Sequence, residues 1–127
     1  MMRCRGIKGA TTSPDNSEEA ILAATRELLN ALISVNAVQT DDIAAVFFTS
    51  TVDLNSVFPA RAARELGLDG IPLLCAQEIE VPRALPKCLR VLLLVNTEKG
   101  QSQLRHLYLR EASELRPELA WKPTEAS

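Results

Sequence analysis

Apolar positions in this chain recur with two periods, and the switches between them predict its elements. Residues 3–10 alternate loosely between polar and apolar and end in Gly9-Ala10-Thr11-Thr12, which predicts a short first strand. Ser13-Pro14-Asp15-Asn16-Ser17 follows as a loop that delivers a helix cap. Asn16 or Ser17 can accept from the first free backbone N–H groups, and Glu18 and Glu19 suit the positive end of a helix. Ile21, Leu22, Thr25, Leu28, Leu29, Leu32 and Ile33 then recur at three- and four-residue steps, predicting an amphipathic helix of about 18 residues. Thr40-Asp41-Asp42 makes a short capped turn before a buried strand at residues 45–50. Residues 58–67 predict a second helix, with Pro59 in its first turn and Gly67 at its end. Residues 71–75 and 89–96 read as strands. In residues 104–109, Leu107 and Leu109 fall on one face and His106 and Tyr108 on the other.

The order strand, helix, strand, helix and then several strands predicts an α+β fold, a single mixed sheet with two helices on one face. At 127 residues the chain makes one domain. Pro117 and Pro123 interrupt its end, so residues 115–127 are expected to form a flexible tail in which Trp121 packs loosely. The strands are apolar enough that the uncovered face also needs a partner, and a homo-oligomer is the expected solution.

Composition narrows the function more than the fold. Apolar residues make up 46% of the chain and charged residues 24%, with a net charge of -2, which disfavours a nucleic-acid binder. Val91-Leu92-Leu93-Leu94-Val95 is far too short to span a bilayer, and the first residues lack the apolar core of a signal peptide, so a cytoplasmic protein is expected. Cys4, Cys75 and Cys88 are odd in number and widely spaced, which disfavours a disulfide framework or a structural zinc site. His106 is the sole histidine, which argues against His clusters and Ser-His-Asp triads.

Charges stand where a core is expected. Arg90 lies inside the apolar run 88–95 and cannot shed its charge, so it needs solvent, a carboxylate or an anionic ligand. Glu78 follows an apolar strand and reads either as an exposed strand end or as a site carboxylate. Tyr108 reads as a half-buried strand aromatic, and Arg116 before Pro117 as solvated. If the fold gathers some of Lys8, Arg61, Arg64, Arg90, Arg105 and Arg116, they make a pocket for a small dianion, with few acid–base groups.

The same residues carry a resemblance. Arg5-Gly6-Ile7-Lys8-Gly9-Ala10-Thr11-Thr12 resembles the Arg-Gly-Ile-Arg-Gly-Ala-Thr opening of the small, non-helical bacterial chorismate mutases. Residues 57–66, with Phe58-Pro59-Ala60, are similar to their Phe-Pro-Ala segment, and residues 72–78 to their Cys-x-x-Glu segment. Lys87-Cys88-Leu89-Arg90-Val91, Arg105-His106-Leu107-Tyr108-Leu109 and Leu115-Arg116-Pro117 complete the series over nearly the whole chain.

That resemblance implies a trimeric pseudo-α/β-barrel with sites at subunit interfaces, and a concerted Claisen rearrangement of chorismate to prephenate in phenylalanine and tyrosine biosynthesis. It implies no metal, no cofactor, and neither a membrane nor a nucleic-acid partner. Arg90 would contact the ether oxygen, Glu78 the ring hydroxyl with Cys75 nearby, and Tyr108 the enolpyruvyl carboxylate. Phe58 and Leu115 would supply apolar walls beside Leu74, while Arg64 and Arg116 line the entrance and Arg61 contributes field. Lys8 stands where the family usually has Arg, keeping the charge but losing the planar fork. Arg5 is an odd number of residues away and faces the other side of the strand. Two rivals remain: a small trimeric enamine or imine deaminase, and a non-catalytic module for anionic metabolites. A thiol nucleophile at Cys75 is disfavoured because Glu78 would raise its pKa and no general base is expected nearby. His106 is expected to be structural.

Overall fold

The computed structural model describes residues 1–123. Its elements are strand β1 (Arg3–Thr12), helix α1 (Glu18–Val35), strand β2 (Ile43–Ser50), helix α2 (Ala60–Glu65), and strands β3 (Leu73–Gln77), β4 (Cys88–Thr97) and β5 (Leu107–Tyr108). Short 3-10 turns lie at Thr40–Asp42, Gln101–Gln103, Arg110–Glu114 and Pro117–Leu119. The strands form one sheet in the order β3-β2-β4-β1-β5. β4 runs antiparallel to both β1 and β2, whereas β3 joins β2 and β5 joins β1 in parallel, so the sheet is mixed. No helix among the described residues is long and apolar enough to cross a membrane.

The helices form because their apolar stripes have one place to go. Ser17 caps α1 by accepting from the Ala20 N–H at 3.1 Å. Ile21, Leu22, Ala24, Thr25, Leu28, Leu29, Ala31 and Leu32 bury its inward face. The α1 end is held by buried Asn36, whose amide donates to the Leu32 and Arg105 carbonyls and whose oxygen accepts from the Arg105 N–H. α2 is shorter than predicted. It ends in a Schellman turn, with Leu68 N–H donating to Ala63 O, Gly67 N–H to Arg64 O, Gly67 at φ +86 and Leu68 buried.

Ile7, Val46, Phe48, Val91, Leu93 and Val95 point from the sheet into the core shared with α1 and α2. Alternation sends Lys8, Phe47, Thr49, Leu74, Arg90 and Leu92 to the opposite face, where Phe47, Leu74 and Leu92 are exposed. The expectation of two helices on one face therefore holds, and it leaves an apolar stripe with arginine beside it.

The strand expected over residues 104–109 pairs only through Leu107 and Tyr108. Side chains interrupt it: Asn36 takes both backbone groups of Arg105, and the Lys8 N–H donates to His106 Nδ1 at 2.9 Å. Its alternation survives, with Leu107 and Leu109 in the main core and Tyr108 on the far side with Ala10 and Ala112. Trp121 packs into the main core, and its backbone N–H donates to the Tyr108 carbonyl at 2.9 Å. The expected tail is thus docked as far as Trp121, and residues 124–127 of it lie outside the described residues.

Gly9 sets how closely α1 approaches the sheet. A Cβ there would lie 2.8 Å from Leu28 Cδ1, 3.0 Å from Leu32 Cδ1 and 3.2 Å from the Leu107 carbonyl oxygen. Gly9→Ala should cost about 1–3 kcal/mol by overpacking, read as a lower urea midpoint at an unchanged m value.

Candidate active site

The uncovered face carries one cross-strand row that concentrates the polar chemistry. In register it runs Ala76, Thr49, Arg90, Ala10, Tyr108, one residue from each of the five strands. Ala76 is exposed, whereas Ala10 is buried against Tyr108 and Ala112. Glu78, two residues beyond Ala76, turns back over this row. Its Oε2 accepts from Thr49 Oγ1 at 2.8 Å, and Arg90 Nε donates to its two oxygens at 3.3 and 3.2 Å. The Glu78 side chain is only 15% exposed, so this pair is partly shielded and stronger than a surface pair. Arg90 is thus paired with a carboxylate, and that partner is itself a candidate site residue.

Buried Cys88 lies on the same face as Arg90, two residues before it. Its thiol is pushed up to about 11, mainly by burial and then by Glu78, with Arg90 opposing and Asp53 adding to the rise. It stays a neutral thiol under the ion pair. Asp53 closes the loop between β3 and β4 by accepting from the Lys87 N–H at 2.9 and 3.2 Å and from the Thr51 hydroxyl. That loop carries Leu85 back onto Tyr108.

Tyr108 is 1% exposed, packed among Ala10, Ala112, Leu85, Leu115 and Leu119. Leu115 therefore sits beside Tyr108. Lys8, His106 and Arg116 gather at the same sheet edge. The His106 pKa is lowered, first by burial and then by Lys8 and Arg116, so the ring is neutral at pH 7 with Nδ1 occupied as an acceptor. It serves as a strut for β1. Arg116 Nε also reaches Glu118 at 3.3 Å on the surface.

The remaining candidates lie at the other edge. A cleft of ≈ 590 Å³ is lined by Val57, Phe58, Pro59, Arg61, Arg64 and Cys75 among others. Phe58 is 72% exposed at this cleft, and Leu74 is 59% exposed on the sheet face beside it. Arg61 is occupied by Glu18 and Glu65, tying α2 to α1. Arg64 has no ion pair among the described residues. The Cys75 pKa is raised by burial, partly offset by the Ala60 backbone N–H and by Arg64. Three residues separate Cys75 from Glu78, so within one chain they face opposite sides of the sheet.

The predicted site is thus split within one chain. Arg90, Glu78 and Tyr108 share a row, with Lys8, Leu115 and Arg116 toward β5, while Phe58, Arg61, Arg64, Leu74 and Cys75 belong to the β3 edge. Four strand spacings, roughly 19 Å, separate the edges. Sequence reasoning missed Thr49, Cys88 and Asp53. A threonine and a cysteine in apolar strands read as ordinary half-buried residues until register places them beside Arg90. No three His, Cys, Asp or Glu side chains among the described residues gather to hold a metal ion.

Thiol exposure gives a direct check. Iodoacetamide at pH 8 should alkylate exposed Cys4 first, Cys75 more slowly and Cys88 only on unfolding, as read by peptide mass spectrometry.

A family model for chorismate mutase type I matches residues 4–119. The chain is 52% identical over 116 residues to chorismate mutase AroH of Thermus thermophilus, covering 91% of this chain and 95% of that protein. It is 43% identical over 120 residues to chorismate mutase AroH of Bacillus subtilis (strain 168), covering 94% of each. The solved structure of a chorismate mutase from Clostridium thermocellum superposes with a TM-score of 0.85 at 43% identity, covering 86% of this chain and 97% of that one.

Proposed function

The chain belongs to the type I chorismate mutase family, and we infer that it rearranges chorismate to prephenate, a step of aromatic amino-acid biosynthesis, at a site completed by a neighbouring copy. It is an isomerase, and the reaction breaks one C–O bond and forms one C–C bond in a single molecule. The protein's work is to hold chorismate in the compact conformer and to stabilise charge separation as the ether bond stretches.

The observation that carries the site reading is the Arg90–Glu78 pair in the row shared with Tyr108. Arg90 would direct its terminal Nη donors to the ether oxygen, whose negative charge grows toward the transition state. A fixed cation there favours the transition state over the ground state, which raises turnover. Glu78 would accept from the ring hydroxyl, and Tyr108 would donate to the enolpyruvyl carboxylate. Lys8 would meet that carboxylate as a point charge in place of a forked arginine, with Arg116 at the entrance. Leu115 supplies an apolar wall beside Tyr108.

The other half, with Phe58, Arg64, Leu74, Cys75 and the field of Arg61, would come from the adjacent subunit of a homotrimer. Support for this comes from the separation of the two edges and from the exposed stripe of Phe47, Leu74 and Leu92, which needs an apolar cover. A cytoplasmic location belongs to the same reading and is supported by three free cysteines.

Loss of chorismate absorbance, with prephenate confirmed by chromatography, tests the activity. Arg90→Ala should lower kcat by several powers of ten, corresponding to a loss of about 4 kcal/mol or more. Near wild-type turnover would remove Arg90 from the centre of the mechanism.

Subunit mixing tests the shared site. Arg64→Ala and Arg90→Ala chains, each impaired alone, should regain activity when refolded together. About a quarter of the interfaces in a 1:1 mixture then pair two intact halves. Light scattering on the same sample should give the mass of three chains. A monomer, or no recovery on mixing, would place the whole site within one chain.

A further inference from the structure

We propose that Thr49 is a positioning residue for the rearrangement: its hydroxyl holds the Glu78 carboxylate so that Arg90 keeps its terminal donors free for substrate. This deepens the site reading above and rests on it.

The geometry begins with the number of ways Glu78 could meet Arg90. A carboxylate beside a guanidinium favours the fork, two parallel N–H···O bonds of which at least one comes from an Nη group. Here Glu78 approaches through Nε instead, at 3.2 and 3.3 Å. Neither Nη group donates to a carboxylate among the described residues.

The group that holds Glu78 in this orientation is Thr49, donating to Oε2 at 2.8 Å. Thr49 is well placed to act as a fixed post. It lies in β2, between β3 and β4 and directly opposite Arg90 in register, so its backbone is braced on both sides. Its χ1 is stiff because the side chain is β-branched. Its partner on β3 is Ala76, a small residue two positions before Glu78. Without the hydroxyl, Oε2 has no donor on the β2 side, and the carboxylate can rotate into the fork and quench the Nη donors. Thr49 need not touch substrate, because its effect passes through Glu78 to Arg90.

The test is a cycle of four proteins assayed for steady-state turnover of chorismate: wild type, Thr49→Val, Glu78→Ala and the double variant. Valine keeps the shape and the strand preference of threonine while removing the donor. Thr49→Val should lower kcat about tenfold with KM changed less than about twofold, because the lost alignment matters where charge develops. Thr49→Ser should recover most of the loss. In the Glu78→Ala background, Thr49→Val should have no further effect on kcat, since its target is gone.

If Glu78→Ala is impaired but Thr49→Val turns over like wild type, the positioning role is overturned and the site reading stands. An equal fall in kcat with and without Glu78 would show that Thr49 acts on the fold or on substrate directly, which also overturns it. Wild-type turnover in Glu78→Ala would instead overturn the underlying reading of Glu78. Matching circular dichroism and oligomer mass across the four proteins separates these outcomes from misfolding.

Discussion

A guanidinium in the middle of a five-stranded sheet must be balanced where it stands, and most of this protein's active face can be understood from how Arg90 is balanced. Arg90 cannot lose its proton, and its strand is paired on both sides. The compensation comes from Glu78, carried in from the end of β3 and steadied by Thr49. Exposed Ala76 leaves the β3 side of this arrangement open, while Ala10 on the other side is buried beside Tyr108. The result is a charged group held by one carboxylate with its side chain still partly exposed, an arrangement that would suit the proposed electrostatic role.

The one-sided helix cover is the second constraint. Both helices press on the face of Ile7, Phe48, Val91 and Leu93, and Gly9 permits α1 to come close. The opposite face therefore carries Phe47, Leu74 and Leu92 in the open, next to Arg90. Apolar surface of this kind calls for another protein surface. The same packing that would cover it would bring the Arg64 edge of one copy toward the Lys8 and Tyr108 edge of the next. On the proposed reading, assembly and catalysis would be two consequences of one uncovered face. Meanwhile Asn36, His106 and the docked Trp121 stiffen the β5 edge, replacing a strand ladder with side-chain bonds.

Much of this was legible in the linear chain. The spacing from Ile21 to Ile33 predicts α1, Ser17 marks its start, and alternation around Tyr108 correctly separates it from Leu107 and Leu109. Arg90 within an apolar run announces a charge in need of a partner, because burial of arginine is costly wherever it occurs. These inferences succeed because helical period, strand alternation and the cost of a buried charge are local properties. What only the tertiary structure decided depends on register between strands far apart in sequence. Register, with strand order, puts Thr49 opposite Arg90 and divides the cationic residues between two edges. It also cuts β5 to two residues, since Asn36 and His106 supply the hydrogen bonds that a longer ladder would have made. Shifting a strand by one residue exchanges its two faces, and the energy that selects the register comes from packing the whole core, which no single segment contains.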